Sequence, residues 1–189
     1  MAYFKRADEE IVMNTRFCGI GGQGVVLAAY ILGKAAINQG VNAVQTKSYG
    51  SAYRGTLCKS DVIISRQRIC ELEFTKTDIL ICLSNEGFSM YKDGLKPDGH
   101  LFYDPTLVDL SQSSTHMHAL NVFELSKKRF DKTIFGNIIM LGYLIGTCPI
   151  VTRNAMEQSI TETVPEKTIE KNIAAFSFGL QQAIKENNL

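Results

Sequence analysis

At 189 residues the chain is long enough to bury a substantial core without disulfides or metals, and its length favours one domain over residues 1–189. Its 20 basic and 19 acidic residues nearly cancel, which argues against a dedicated nucleic-acid binder with its basic surplus. The five cysteines, Cys18, Cys58, Cys70, Cys82 and Cys148, form no C-x-x-C pair and mostly sit in apolar runs. They read as buried, reduced residues of a cytoplasmic chain that holds no metal or cluster of its own.

The first ten residues break into charge before any apolar stretch develops, so no secretory signal is expected. Residues 15–20 read as a short strand running into Gly19-Ile-Gly-Gly-Gln-Gly24, and an apolar helix follows over 25–38, stopped at Gln39-Gly40. A second strand near 41–46 leads to a polar loop, Ser48-Tyr-Gly-Ser-Ala-Tyr-Arg-Gly55. Residues 61–65 and 78–83 read as strands, the latter a continuous apolar run suited to a parallel strand covered on both faces. Ser84 or Asn85 should cap the next helix, Pro97-Asp-Gly99 should turn the chain, and 101–103 and 115–120 supply two more strands.

The remainder reads as helical: 122–129, a glycine-studded segment, 153–163, and 167–186, the last two divided at Pro165. No charged residue lies between Lys132 and Arg153, nearly enough to cross a bilayer, but Gly136, Asn137, Gly142, Gly146 and Pro149 interrupt the stretch. A helix buried inside the fold is expected, with no membrane span. Gly142 and Gly146, four apart, share a face that admits another backbone. The alternation of strands and helices specifies an α/β class: a doubly wound, mainly parallel, Rossmann-like sheet with a helical C-terminal third.

Gly19-x-Gly21-x-x-Gly24 between a strand and a helix fits a phosphate-binding turn, because glycines allow close approach and helix-start amides attract anions. An NAD site wants an acid about twenty residues on. From Gly24 to Ser60 there is none; Lys34, Lys47, Arg54 and Lys59 occur instead. The loop ending at Arg54-Gly55 should emerge on the same sheet edge as the glycine loop, and the two would make an anion pocket. A second reading stays open, in which the glycines serve helix packing and Arg54 pairs with a carboxylate.

The stretch from Gly19 to Ala29 with Gly33, then Ser48-Tyr-Gly-x-x-x-Arg-Gly55, Asp61-Val-Ile-Ile-Ser65, Asp78-Ile-Leu-Ile81, Leu95-Lys-Pro-Asp-Gly99, Asn137, Leu141-Gly142 and Asn172-x-x-Ala-Phe-x-x-Gly179 occur in order. Together they resemble the γ subunit, or γ domain, of 2-oxoacid:ferredoxin oxidoreductases. One departure is Thr56, where the family usually has a second glycine after the arginine.

The resemblance implies a subunit of an oxidoreductase that converts a 2-oxoacid and coenzyme A to acyl-CoA and carbon dioxide while reducing ferredoxin. It implies α, β and, in some members, δ partner subunits. Thiamine diphosphate with Mg2+ and the iron–sulfur clusters would lie on those partners, with no cofactor bound by this chain alone and no activity in isolation. It leaves open a homodimer of the isolated chain and the identity of the 2-oxoacid, with 2-oxoglutarate or a broad 2-oxoacid specificity ahead and pyruvate close behind. For coenzyme A handling the candidates are Gly21, Gly22, Gln23, Gly24, Tyr49, Gly50, Arg54 and Gly55. No catalytic residue and no metal ligand is assigned. Tyr49, Tyr53 and Arg54 equally suit a contact with the α subunit. A free-standing NADP-dependent reductase and a scaffold module are the alternatives.

Other residues read plainly. His116 and His118 alternate on a strand and with His100 could begin a metal site, but a solvent-facing strand surface is the expectation. Lys127-Lys-Arg129 should complement a helix dipole, Asn137 should find a backbone partner, and Phe123, Phe130, Phe135, Phe176 and Phe178 should be core.

Overall fold

β1 (Val12–Ile20) sends Met13 and Phe17 to one side of a sheet and Arg16 and Cys18 to the other, and all four side chains are buried. A strand covered on both faces requires a layer on each, and the computed structural model shows both. It describes residues 12–49, 56–110, 114 and 116–186. After β1 come α1 (Val25–Asn38), β2 (Asn42–Tyr49), β3 (Leu57–Ser65), β4 (Thr77–Cys82), α2 (Asn85–Tyr91), β5 (Leu95–Tyr103) and β6 (Met117–Ala119). Four helices complete the order: α3 (Val122–Phe130), α4 (Gly136–Thr147), α5 (Arg153–Thr163) and α6 (Ile169–Glu186).

The six strands lie in the order β2-β3-β1-β4-β5-β6. β1, β4, β5 and β6 pair in parallel, as a mainly parallel sheet requires. The exception is β3, which runs antiparallel to both β1 and β2. It begins at Leu57, four residues before the strand expected from Asp61, and follows β2 after only seven residues. Too few residues separate them for the crossover that a parallel pair needs. The turn expected at Pro97-Asp-Gly99 instead lies inside β5, where Thr77 pairs with Leu95 but Ile79 pairs with His100. Pro97 has no N–H to offer the ladder, and the strand bulges there.

The larger core joins one sheet face to α1, α3, α4, α5 and α6, with Phe17, Ile64, Ile81 and Phe102 meeting Leu32, Leu141, Met156 and Phe176. The opposite face carries a smaller core of Cys18, Leu80, Cys82, Leu101 and Val108, covered by Phe88 and Tyr91 of α2. Ser84 caps α2 by accepting from the Gly87 N–H at 3.1 Å.

The uncharged segment forms α4, buried at every position from Gly136 to Ile145. No described helix is long and apolar enough to cross a membrane. Gly142 lies against the Phe176 carbonyl and Gly146 against Ala183, so α4 and α6 approach backbone to backbone, as the shared glycine face implied. Four cysteines are buried; Cys70 departs from that expectation and is exposed in an irregular segment after β3.

Candidate functional site

The glycine loop is shaped by two left-handed residues that suit glycine, Gly22 at φ 108° and Gly24 at φ 76°. Gly24 is also the N-cap of α1, and a Cβ there would overlap the Asn137 amide, which donates to the Gly24 carbonyl at 3.1 Å. Asn137, 3% exposed, thus finds the backbone partner expected of it. Gln23 folds back over the loop: its Oε1 accepts from the Ile20 N–H at 2.6 Å and its Nε2 donates to the Leu83 carbonyl at 2.8 Å. This side chain therefore fixes the loop to the end of β4, a role the sequence pattern does not reveal.

The first turn of α1 contains no acidic residue, and no described side chain caps it. A helix start leaves its opening N–H groups without intrahelical acceptors and carries the positive end of the macrodipole. The β2–β3 connection leaves the same rim. Tyr49 ends β2 opposite Cys58, Ile20 ends β1 opposite Leu57, and the Gly21 N–H donates to the Thr56 carbonyl at 3.0 Å. Gly50, Arg54 and Gly55, as well as Tyr53, lie outside the described residues, as does the Tyr49 side chain. Of the eight candidate residues, the structure brings Gly21, Gly22, Gln23 and Gly24 together beside Thr56, at the β3 end of the second loop, while Tyr49 lies beyond β3 on β2.

The topology also distinguishes this rim from a dinucleotide site. In that fold the strand after the first helix lies directly beside the first strand. Here β3 separates β2 from β1, so the end of β2 sits two strands away from the glycine loop.

On the α2 side of the sheet lies a buried ion pair. Arg16 on β1 and Asp61 on β3 are register partners joined by two hydrogen bonds of 2.8 and 2.7 Å. The guanidinium is flanked by the rings of Phe74 and Tyr91, each 4.9 Å away, while Lys59 reaches Asp61 at 3.1 Å. The acid of the Asp61-Val-Ile-Ile-Ser65 stretch is therefore the buried counterion of Arg16. The pairing has no local sequence signal because 45 residues separate its members.

The histidines correct another expectation. His118 is 8% exposed, stacked on Phe102 with its Nε2 2.9 Å from His100 Nδ1, and His116 stacks on His100. His118 turns into the protein because β6 pairs with β5 and brings it beside the buried Phe102, while His100 and His116 stay half-buried. Burial, followed by the nearby His100 and His116, pushes the His118 pKa down to about 4, and burial also lowers that of His100. No group of three or more His, Cys, Asp or Glu among the described residues is arranged to hold a metal ion. The basic run after Glu124 is put to local use, with Lys127 pairing with Asp131 and Arg129 lying over Phe178.

The family model for pyruvate ferredoxin/flavodoxin oxidoreductase matches residues 14–182. The chain belongs to this family. It is 39% identical over 172 residues to the 2-oxoglutarate synthase subunit KorC of Methanocaldococcus jannaschii, covering 89% of this chain and 92% of that one. To the pyruvate synthase subunit PorC of Methanothermobacter marburgensis it is 28% identical over 167 residues, 87% of this chain and 93% of the other.

Among solved structures, the γ subunit of a keto/oxoacid ferredoxin oxidoreductase from Geobacter sulfurreducens superposes with a TM-score of 0.80 at 34% identity, covering 92% of this chain and 99% of that one. The 2-oxoglutarate:ferredoxin oxidoreductase of Magnetococcus marinus shares the fold, with a TM-score of 0.81 at 19% identity, over 94% of this chain and 32% of that one. The chain is thus a γ-type subunit of the 2-oxoacid:ferredoxin oxidoreductase class, as the ordered motifs implied.

Proposed function

We propose that this subunit presents the glycine-loop rim to the phosphates of coenzyme A within a complex that oxidises 2-oxoglutarate. The observation that carries the reading is the uncapped, acid-free start of α1, tied through Gly21 and Thr56 to the loop that bears Arg54. Left-handed Gly22 and Gly24 let an anion approach the backbone closely, and the helix dipole favours negative charge there. Gly21, Gly22, Gly24, Tyr49, Gly50, Arg54 and Gly55 are the residues we assign to this rim, with Gln23 holding it in shape.

The choice of 2-oxoglutarate follows the KorC relatives, which include a 36% identical subunit from Methanothermobacter thermautotrophicus. The Magnetococcus marinus enzyme, solved with 2-oxoglutarate, coenzyme A and succinyl-CoA bound, supports the same choice of substrates. We assign thiamine diphosphate, Mg2+ and the iron–sulfur clusters to α, β and δ-type partners in the cytoplasm, and treat residues 1–189 as one domain. The buried cysteines suit that assignment: they fill the two hydrophobic cores, whereas a cluster gathers its thiolates around iron.

A second use of the rim is favoured by Leu27 and Tyr30 on the first turns of α1, 40% and 47% exposed, which are apolar enough to meet a partner subunit. One substitution separates the two. Leu27→Asp adds a carboxylate to the first turn of α1, repelling a phosphate while suiting the helix dipole. With the complex still assembled on size exclusion, the Kd for coenzyme A should rise about tenfold, and with Arg54→Ala by a similar factor. An unchanged Kd in both variants would remove coenzyme A from this rim; loss of assembly in Leu27→Asp would assign it to a subunit contact.

A further inference from the structure

Directly under the glycine loop, on the α2 side of the sheet, two thiols face each other. Cys18 on β1 and Cys82 on β4 are register partners in a parallel pair, fully buried, with Sγ atoms 3.3 Å apart. Neighbouring strands lie about 4.8 Å apart, inside the Cα separation that a disulfide spans. The geometry points to a modification site: Cys18 and Cys82 form an oxidisable dithiol that closes to a disulfide on exposure to a peroxide.

The balance is simple. One thiol is oxidised to a sulfenic acid with release of water, and the second displaces the sulfenic hydroxyl as another water, forming the S–S bond. Two electrons leave the two sulfurs and reduce one peroxide to two waters, and both thiol protons leave in that water. Reaction is gated by α2, whose Gly87 lies directly on Cys18. A Cβ at Gly87 would stand 2.9 Å from the Cys18 sulfur, while the rest of this seven-residue helix buries nothing fully. Burial, with the adjacent Cys18, holds the Cys82 thiol well above its ordinary pKa, so the closed form is slow to react and opening of α2 sets the rate.

The position gives the site a consequence. The residue after Cys82 is Leu83, whose N–H donates to the Cys18 carbonyl at 2.8 Å and whose own carbonyl accepts from Gln23. Gly19 follows Cys18 directly. Drawing the two sulfurs to bonding distance shifts both strand ends, and Gln23 transmits the shift to the loop. This holds whatever the loop binds.

The test starts from Cys70→Ser, which removes the exposed thiol and leaves four cysteines of the five. After hydrogen peroxide, alkylation in denaturant should find two free thiols, Cys58 and Cys148, with a linked Cys18–Cys82 peptide by mass spectrometry. Dithiothreitol should restore all four. Amide hydrogen exchange over residues 19–25 should rise in the oxidised protein and fall again on reduction. Four alkylated thiols after treatment, or a linkage between other cysteines, would overturn the proposal. A Cys18–Cys82 disulfide with unchanged exchange would overturn its coupling to the loop.

Discussion

Acidification should weaken this fold through His118, and the size of the effect follows from one side chain. In the unfolded chain a histidine takes up its proton near pH 6.5, whereas buried His118 resists until about pH 4. Above pH 6.5 both states are neutral and the residue costs nothing. Between pH 6.5 and pH 4 the unfolded chain binds a proton that the folded chain refuses, so stability falls as the pH drops. The full difference of about 2.5 pH units corresponds to about 3 kcal/mol, and about 2 kcal/mol of it is lost between pH 7.5 and pH 5.

Urea unfolding followed by circular dichroism, at those two pH values, measures this directly. His118→Phe provides the reference, since a phenyl ring keeps the packing against Phe102 and Tyr143 without a titrating group. Carboxylates titrate in both proteins and cancel. The native protein should lose about 2 kcal/mol more than the variant on acidification. Equal losses would show that His118 takes up its proton in the folded state without penalty, and the buried-neutral assignment would fall.

Two further outcomes concern the core. Asp61→Asn leaves the Arg16 guanidinium buried without its counterion and should destabilise the protein by about 3 kcal/mol in chemical denaturation; a loss under about 1 kcal/mol would show the pair to be solvated. Gly142→Ala places a methyl group onto the Phe176 carbonyl and should lower stability by about 1–3 kcal/mol by forcing α4 and α6 apart, while an unchanged midpoint would mean that the seam yields freely.

Local signals carried much of the reading. Ser84 stands where a cap is needed, and its hydroxyl accepts from Gly87 as expected. The four-residue spacing of Gly142 and Gly146 marked a close helix face before any partner was known, and α6 fills it. The glycine loop announced its backbone through composition alone, and Gly22 and Gly24 take the left-handed conformations that suit glycine. By contrast, Gln23 looked like a ligand residue because nothing nearby in sequence says that Leu83 will lie beside it. His118 looked solvent-facing because alternation tells which residues share a face, not which way that face turns. The reversed β3 escaped because a short polar connection between two strands fits either direction until its neighbours are placed.

The sequence by itself determined the α/β class, the helical C-terminal third, the glycine turn before α1 and, through motifs in order, the family. Those features depend on spacing along the chain, which steric and hydrogen-bonding rules convert directly into backbone. The tertiary structure alone decided that Arg16 meets Asp61, that Cys18 meets Cys82 and that three histidines stack at one sheet edge. Each is a contact between residues far apart in sequence or on separate strands, set by strand order and register. No local preference encodes such a contact; packing the whole sheet does.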